Sequence, residues 1–173
     1  MRSCLGDIDA DGEVEIVVGT IHQKVYAWDR FGNDKPNWPW EATSSWDVFG
    51  VVLADVVGDS ALEVIANFGW PDSINIYVLD GVTAAPLPGW PQPEGMSVRG
   101  YQSVVVSDID YDGEKEIVMA GYDACPDFQC SGYVLGYNPD GTMVPGFPIS
   151  IGYEGAAYAP CIVDLDQDDD LEI

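Results

Sequence analysis

The sequence predicts an all-β protein assembled from serial four-stranded antiparallel units, and three observations carry the prediction. No window of the 173 residues holds a helical period of useful length, and 19 Gly and 12 Pro interrupt every candidate. Short runs rich in Val, Ile, Tyr and Trp alternate with tight-turn residues, as in strands joined by hairpins. The pattern also recurs: nine-residue acidic windows start at Asp7, Asp55, Asp108 and Asp164, at spacings of 48, 53 and 56 residues.

Taken in order, each unit reads the same way. The runs GVVLADV, SVVVSDI and PCIVDL lead into acidic windows, and EIVVGTI, EVIANFG and EIVMAGY leave them. A third run follows (KVYAWD, INIYVLD, GYVLGYN), then a turn (FGND, DGVTA, NPDG). A fourth run ends on a matched signature, PNWPW at 36–40, PGWPQ at 88–92 and PGFPI at 145–149. Four short β-rich runs per unit describe an antiparallel meander. A lone meander has unpaired edges and cannot bury both faces. Serial copies solve this by stacking around an axis as a β-propeller, typically with ~4–8 blades; a linear solenoid of the same unit is the alternative. The predicted architecture is a β-propeller segment with three complete blades, at about residues 1–41, 48–92 and 100–149, and the start of a fourth at 157–173. The first blade already has four runs and the fourth has one run and a stub. The expectation is therefore a fragment of a larger propeller, or a chain that self-associates through its open ends.

The formal net charge is −24, from 30 acidic and 6 basic side chains, yet 47% of residues are apolar, enough for a core. Nucleic-acid binding needs a Lys/Arg stripe, and Arg2, Lys24, Arg30, Lys35, Arg99 and Lys115 are scattered. No apolar run approaches a membrane-spanning length, so membrane insertion is not expected, and MRSCLGDIDADG lacks the apolar stretch of a secretion signal. About half the acidity sits in the four windows: 15 of the 30 carboxylates occupy positions 1, 3, 5 and 9 of DIDADGEVE, DVVGDSALE, DIDYDGEKE and DLDQDDDLE. Such crowding of like charge costs Coulomb energy unless a counter-charge is present.

In DxDxDGxxE, side chains 1, 3 and 5 curl to one side, and Gly at position 6 permits the turn. The carbonyl at position 7 and the carboxylate at position 9 then complete a shell of hard oxygens in a flexible loop, which suits Ca²⁺ over Mg²⁺ or a transition metal. An EF-hand needs a Glu at position 12, where this chain has Val18 and Met119 inside strand-like runs. Calcium is expected at the Asp7 and Asp108 windows, with a third, weaker site at Asp164, where Asp169 replaces the turn glycine. At Asp55, Val57 and Ser60 replace a ligand and the turn residue, so tight calcium is not expected there.

These residues resemble the FG-GAP/VCBS repeat family, the blade unit of integrin-α-type propellers, on the pattern apolar run–DxDxDGxxEI–apolar run–GxVYxxxxDG–PGFP. The resemblance covers nearly the whole chain. It implies that Asp7, Asp9, Asp11 and Glu15 are calcium ligands, with the Glu13 carbonyl. It implies the same of Asp108, Asp110, Asp112 and Glu116 with the Glu114 carbonyl, and of Asp164, Asp166, Asp168 and Glu172 with the Asp170 carbonyl. The motif says little about any ligand or activity, because one fold hosts many functions.

Four cysteines beside calcium loops suggest an extracellular, secreted or cell-surface setting. Cys125 and Cys130 flank PDFQ in one loop and read as a local disulfide or as two exposed thiols. Cys4 and Cys161 hold the same place in different blades and read as small buried residues of the innermost strand. Meander topology puts the acidic loops and the third-to-fourth strand turns on one face. The opposite face carries Trp46, Trp70, Arg99, Tyr101 and Tyr122, which either pack between blades or form a surface for a protein or carbohydrate ligand. Trp38, Trp90 and Phe147 recur at one position and read as core. The leading functional expectation is a calcium-binding, non-enzymatic module for adhesion or ligand binding. The alternatives are part of a calcium-dependent carbohydrate-active enzyme, such as a polysaccharide lyase, or a purely structural spacer. His22 is the sole histidine, so a histidine-based triad has one poor candidate.

Overall fold

The computed structural model describes residues 3–43, 47–70, 73–92, 104–122, 131–153, 160–164, 171 and 173. Among them the chain is all-β, with three antiparallel sheets and no helix. The first sheet runs β1 (Ser3–Gly6), β2 (Glu15–Gly19), β3 (Lys24–Trp28) and β4 (Trp40–Glu41), in chain order. The second holds β5 (Asp47–Ala54), β6 (Glu63–Trp70) and β7 (Ser73–Leu79). The third holds β8 (Val104–Ser107), β9 (Glu116–Tyr122), β10 (Ser131–Tyr137) and β11 (Ile149–Tyr153), again neighbour to neighbour. The three sheets do not close on one another among the described residues.

Among the described residues the second sheet has three strands where the sequence pattern predicts four. Its fourth run follows β7 only through isolated bridges, Leu79 with Pro86 and Ile76 with Gln92. The described part of that run ends at Gln92, and Pro86, Pro88 and Pro91 within it carry no backbone N–H. Single bonds persist between them: Leu87 N–H donates to the Val78 carbonyl at 2.8 Å, and Gln92 N–H to that of Ile76 at 3.0 Å. The Trp38–Pro39, Trp90–Pro91 and Phe147–Pro148 bonds of the matched signatures are all cis.

Strand alternation divides the core into two layers. Val17, Val25 and Ala27 of the first sheet meet Val51, Val64, Ala66, Phe68, Tyr77 and Leu79 of the second. On the other side, Ile65, Ile76 and Val78 meet Val104, Ile117, Met119, Leu135 and Tyr137 of the third. The middle sheet is therefore covered on both faces, which explains its nearly unbroken apolar runs. Trp40 closes the first layer against Phe68 and Tyr77, with ring centroids 5.7 and 4.9 Å apart.

The matched tryptophans join one sheet to the next. Trp38 is buried, and its indole N–H donates to the Gly81 carbonyl at 3.1 Å; Trp90 is buried, and its indole donates to the Pro139 carbonyl at 2.8 Å. The backbones approach so closely there that a Cβ on Gly81 would stand 2.1 Å from the Ile8 carbonyl oxygen. The Phe147 ring has no N–H to offer and is only half-buried, which corrects its reading as core. The outward face of the first sheet presents Leu5, Ile16 and Trp28 in register, with Leu5 70% exposed.

Candidate metal centres

The acidic windows form the β1–β2, β5–β6 and β8–β9 loops, and one wiring recurs in all three. The position-9 glutamate opens the outgoing strand and pairs with the last residue of the incoming one: Gly6 with Glu15, Ala54 with Glu63, Ser107 with Glu116. That register slides the carboxylate beneath the loop, and each of the three is at most 1% exposed. One oxygen is then committed, since Oε2 of Glu15, Glu63 and Glu116 accepts the N–H of Ile8, Val56 and Ile109 at 3.0, 2.8 and 2.7 Å. The position-1 aspartate holds the turn from inside, with Oδ2 of Asp7, Asp55 and Asp108 accepting the N–H of Gly12, Ser60 and Gly113.

The curl needs positive φ at positions 4 and 6 of every loop. These are Ala10 (55°) and Gly12 (86°), Gly58 and Ser60 (79° each), and Tyr111 (61°) and Gly113 (95°). The second loop therefore keeps the turn although it lacks the position-6 glycine. Its position-3 residue, Val57, is 48% exposed.

Among the described residues two sets of carboxylate oxygens converge to within 4.8 Å of one another: Asp7, Asp9 and Glu15 in the first loop, and Asp108, Asp110 and Glu116 in the third. Either set could hold a metal ion. The position-5 aspartates are not in these sets, and Asp11 Oδ1 and Asp112 Oδ1 each accept the N–H two residues on, at 2.8 Å. That bond, more than any other contact, holds the Asp11 carboxyl below the ordinary range. The Glu13 side chain turns outward to pair with Arg30, and Glu114 is exposed at its loop tip.

The two sets differ in what faces them. In the first loop Lys35, from the β3–β4 turn, places Nζ 2.6 Å from Asp9 Oδ2, 3.1 Å from Glu15 Oε1 and 3.5 Å from Asp11 Oδ2. Burial pulls the Lys35 pKa down, but bonding to Asp9 and Glu15 outweighs it and leaves the ammonium firmly protonated. Among the described residues the third loop has no such cation. Glu116 is fully buried, and its Oε1 has no hydrogen-bond partner, nor has the buried Asp108 Oδ1. Burial, opposed by the Ile109 N–H and reinforced by Asp110, Asp112 and Asp108, pushes the Glu116 carboxyl up. Lys115 reaches away, donating to the Asp55 carbonyl at 3.1 Å.

Of the remaining sequence-predicted residues, Asp164 is half-buried, and Asp166, Asp168, Asp170 and Glu172 lie outside the described residues. So do Trp46, Arg99, Tyr101, Cys125, Cys130 and the Trp70 side chain, while Tyr122 is half-buried at the end of β9. Cys4 is a free thiol that donates to the Val51 carbonyl at 2.9 Å, tying β1 to β5. Cys161 is free but exposed, so its reading as a buried residue is corrected.

Sequence reasoning missed Lys35 as a member of the site. The available signal was a basic residue immediately before the PNWP signature, where the other two units carry Leu87 and Val144. No family model matches the chain, and no curated protein matches it as a relative.

Proposed function

We propose that the chain is a calcium-binding, non-enzymatic segment of a β-propeller serving adhesion or ligand binding on a secreted or cell-surface protein. The observation that carries the calcium reading is the third loop, where Asp108 Oδ1 and Glu116 Oε1 are buried without partners beside Asp110. Desolvated carboxylate oxygens without donors are costly, and an oxygen-only set suits a hard cation. Bound there, calcium would offset two of the three carboxylate charges. The chain's own contribution is to hold Asp108 by the Gly113 N–H and Glu116 by the Ile109 N–H.

The propeller reading is supported by serial sheets that stack through equivalent faces and by the Trp38 and Trp90 bonds to the next sheet. The apolar outward face of the first sheet supports continuation of that stack, by more of a larger propeller or by a second copy. Calorimetric titration with calcium and with magnesium tests the metal reading, which predicts saturable heat with calcium and a much weaker response to magnesium. Absence of binding by either ion would end it. A glycan and protein array probed with and without calcium tests the ligand-binding reading.

A further inference from the structure

Lys35 stands where the first loop would hold its ion. Calcium–oxygen distances run to about 2.3–2.6 Å, and the Lys35 ammonium is 2.6 Å from Asp9 Oδ2 and 3.1 Å from Glu15 Oε1. Those are two of the three carboxylates that make the first set. The lysine is anchored, not merely near: its backbone N–H donates to the Ala27 carbonyl at 3.0 Å, Pro36 follows it, and its side chain is 12% exposed. Matching bonds from Leu87 to Val78 and from Val144 to Gly136 put an apolar residue at the same place in the other two units. We propose that Lys35 is a built-in counter-ion that replaces the divalent cation of the first loop, so that the chain binds calcium at its third loop and not at its first.

The contrast within one chain supports this. The position-9 glutamates share the same bond through Oε2, but the free oxygen Oε1 meets an ammonium in Glu15 and no partner in Glu116. Each loop keeps one buried aspartate oxygen without a partner, Asp9 Oδ1 in the first and Asp108 Oδ1 in the third, so the loops differ at the glutamate, which has an ammonium beside it in the first and none among the described residues in the third. The inference rests on reading these loops as calcium sites, and the test separates the two.

Bound calcium per chain is counted by equilibrium dialysis of the full chain and of Asp9→Asn, Glu116→Gln and Lys35→Met. Asp9→Asn should bind as many ions as the unmodified chain, Glu116→Gln one fewer, and Lys35→Met one more. In chelator Lys35→Met should melt lower than the unmodified chain, and millimolar calcium should restore it. An ion lost in Asp9→Asn, or a folded Lys35→Met that gains none, would overturn the inference. So would a Lys35→Met chain that stays unfolded in millimolar calcium, since the ion should supply the charge the ammonium gave. If Glu116→Gln binds as many ions as the unmodified chain, the calcium reading of the third loop fails, while the Lys35→Met count still decides this inference.

Discussion

Glu116→Gln is predicted to reverse sign with calcium. The side chain is fully buried, one carboxylate oxygen takes the Ile109 N–H at 2.7 Å, and the other has no partner. Glutamine keeps an oxygen for Ile109 and removes a buried charge that Asp108, Asp110 and Asp112 repel. In chelator the variant should therefore melt at or above the unmodified chain. In calcium the order should invert. At free calcium 100-fold above Kd, mass action adds about 2.7 kcal/mol to the unmodified chain. With roughly 2–4 °C per kcal/mol for a chain of this size, the gain is about 5–10 °C. Circular-dichroism melts at neutral pH, in excess chelator and in millimolar calcium, measure all four midpoints. Equal calcium-induced gains in both proteins would refute the reasoning, and so would a variant that melts well below the unmodified chain in chelator.

Two further outcomes follow from the same geometry. Burial, partly offset by the Val56 and Val57 N–H groups, raises the Glu63 carboxyl above its ordinary value of 4.5, and Asp59 and Asp55 add to the rise. A raised folded pKa gives stability that is present below the unfolded value and lost as pH rises through the folded one. Melting temperature in chelator should thus fall on the alkaline side of 4.5, and Glu63→Gln should flatten that fall; an unchanged profile would contradict it. Trp90→Phe deletes the 2.8 Å bond to the Pro139 carbonyl while keeping most of the ring packing on Tyr137, and should cost about 1–3 kcal/mol in urea unfolding; a change near zero would show that this bond does not hold the second sheet to the third.

The strands around the Asp7, Asp55 and Asp108 windows were legible because a local rule fixes them. A glutamate at position 9 must both end the loop and open a strand, and Glu15, Glu63 and Glu116 do so. The positive φ at Ala10 and Tyr111 was not legible, because neither residue announces it as glycine does. Ser60 likewise adopts the turn without being glycine; the Asp55 carboxylate bonding to Gly58, Asp59 and Ser60 N–H groups compensates the strain. The pattern also set the matched signature at the end of the fourth run, whereas β4 and β11 begin after its second proline, because a proline without an N–H does not sit within the ladder. Lys35 escaped for a different reason. It lies 20 residues beyond Glu15, and only the pairing of β2 with β3 brings its turn over the loop.

The three loops therefore solve one electrostatic problem in three ways on one backbone design. Each buries a glutamate next to a position-1 aspartate, which is unfavourable without relief. The second loop removes charge, with Val57 in place of an aspartate and Leu87 packed at the turn position. The first keeps its charge and brings an ammonium from Lys35. The third keeps its charge and has the buried, uncharged Val144 at that place, and on the calcium reading its relief is a bound ion. Whether a loop needs a metal is then not set by its nine residues alone. It depends also on one residue of the following turn, held over the loop by its hydrogen bond to the third strand. Exchanging that residue between units should exchange the metal requirement, and the dialysis counts for Lys35→Met read one half of that exchange directly.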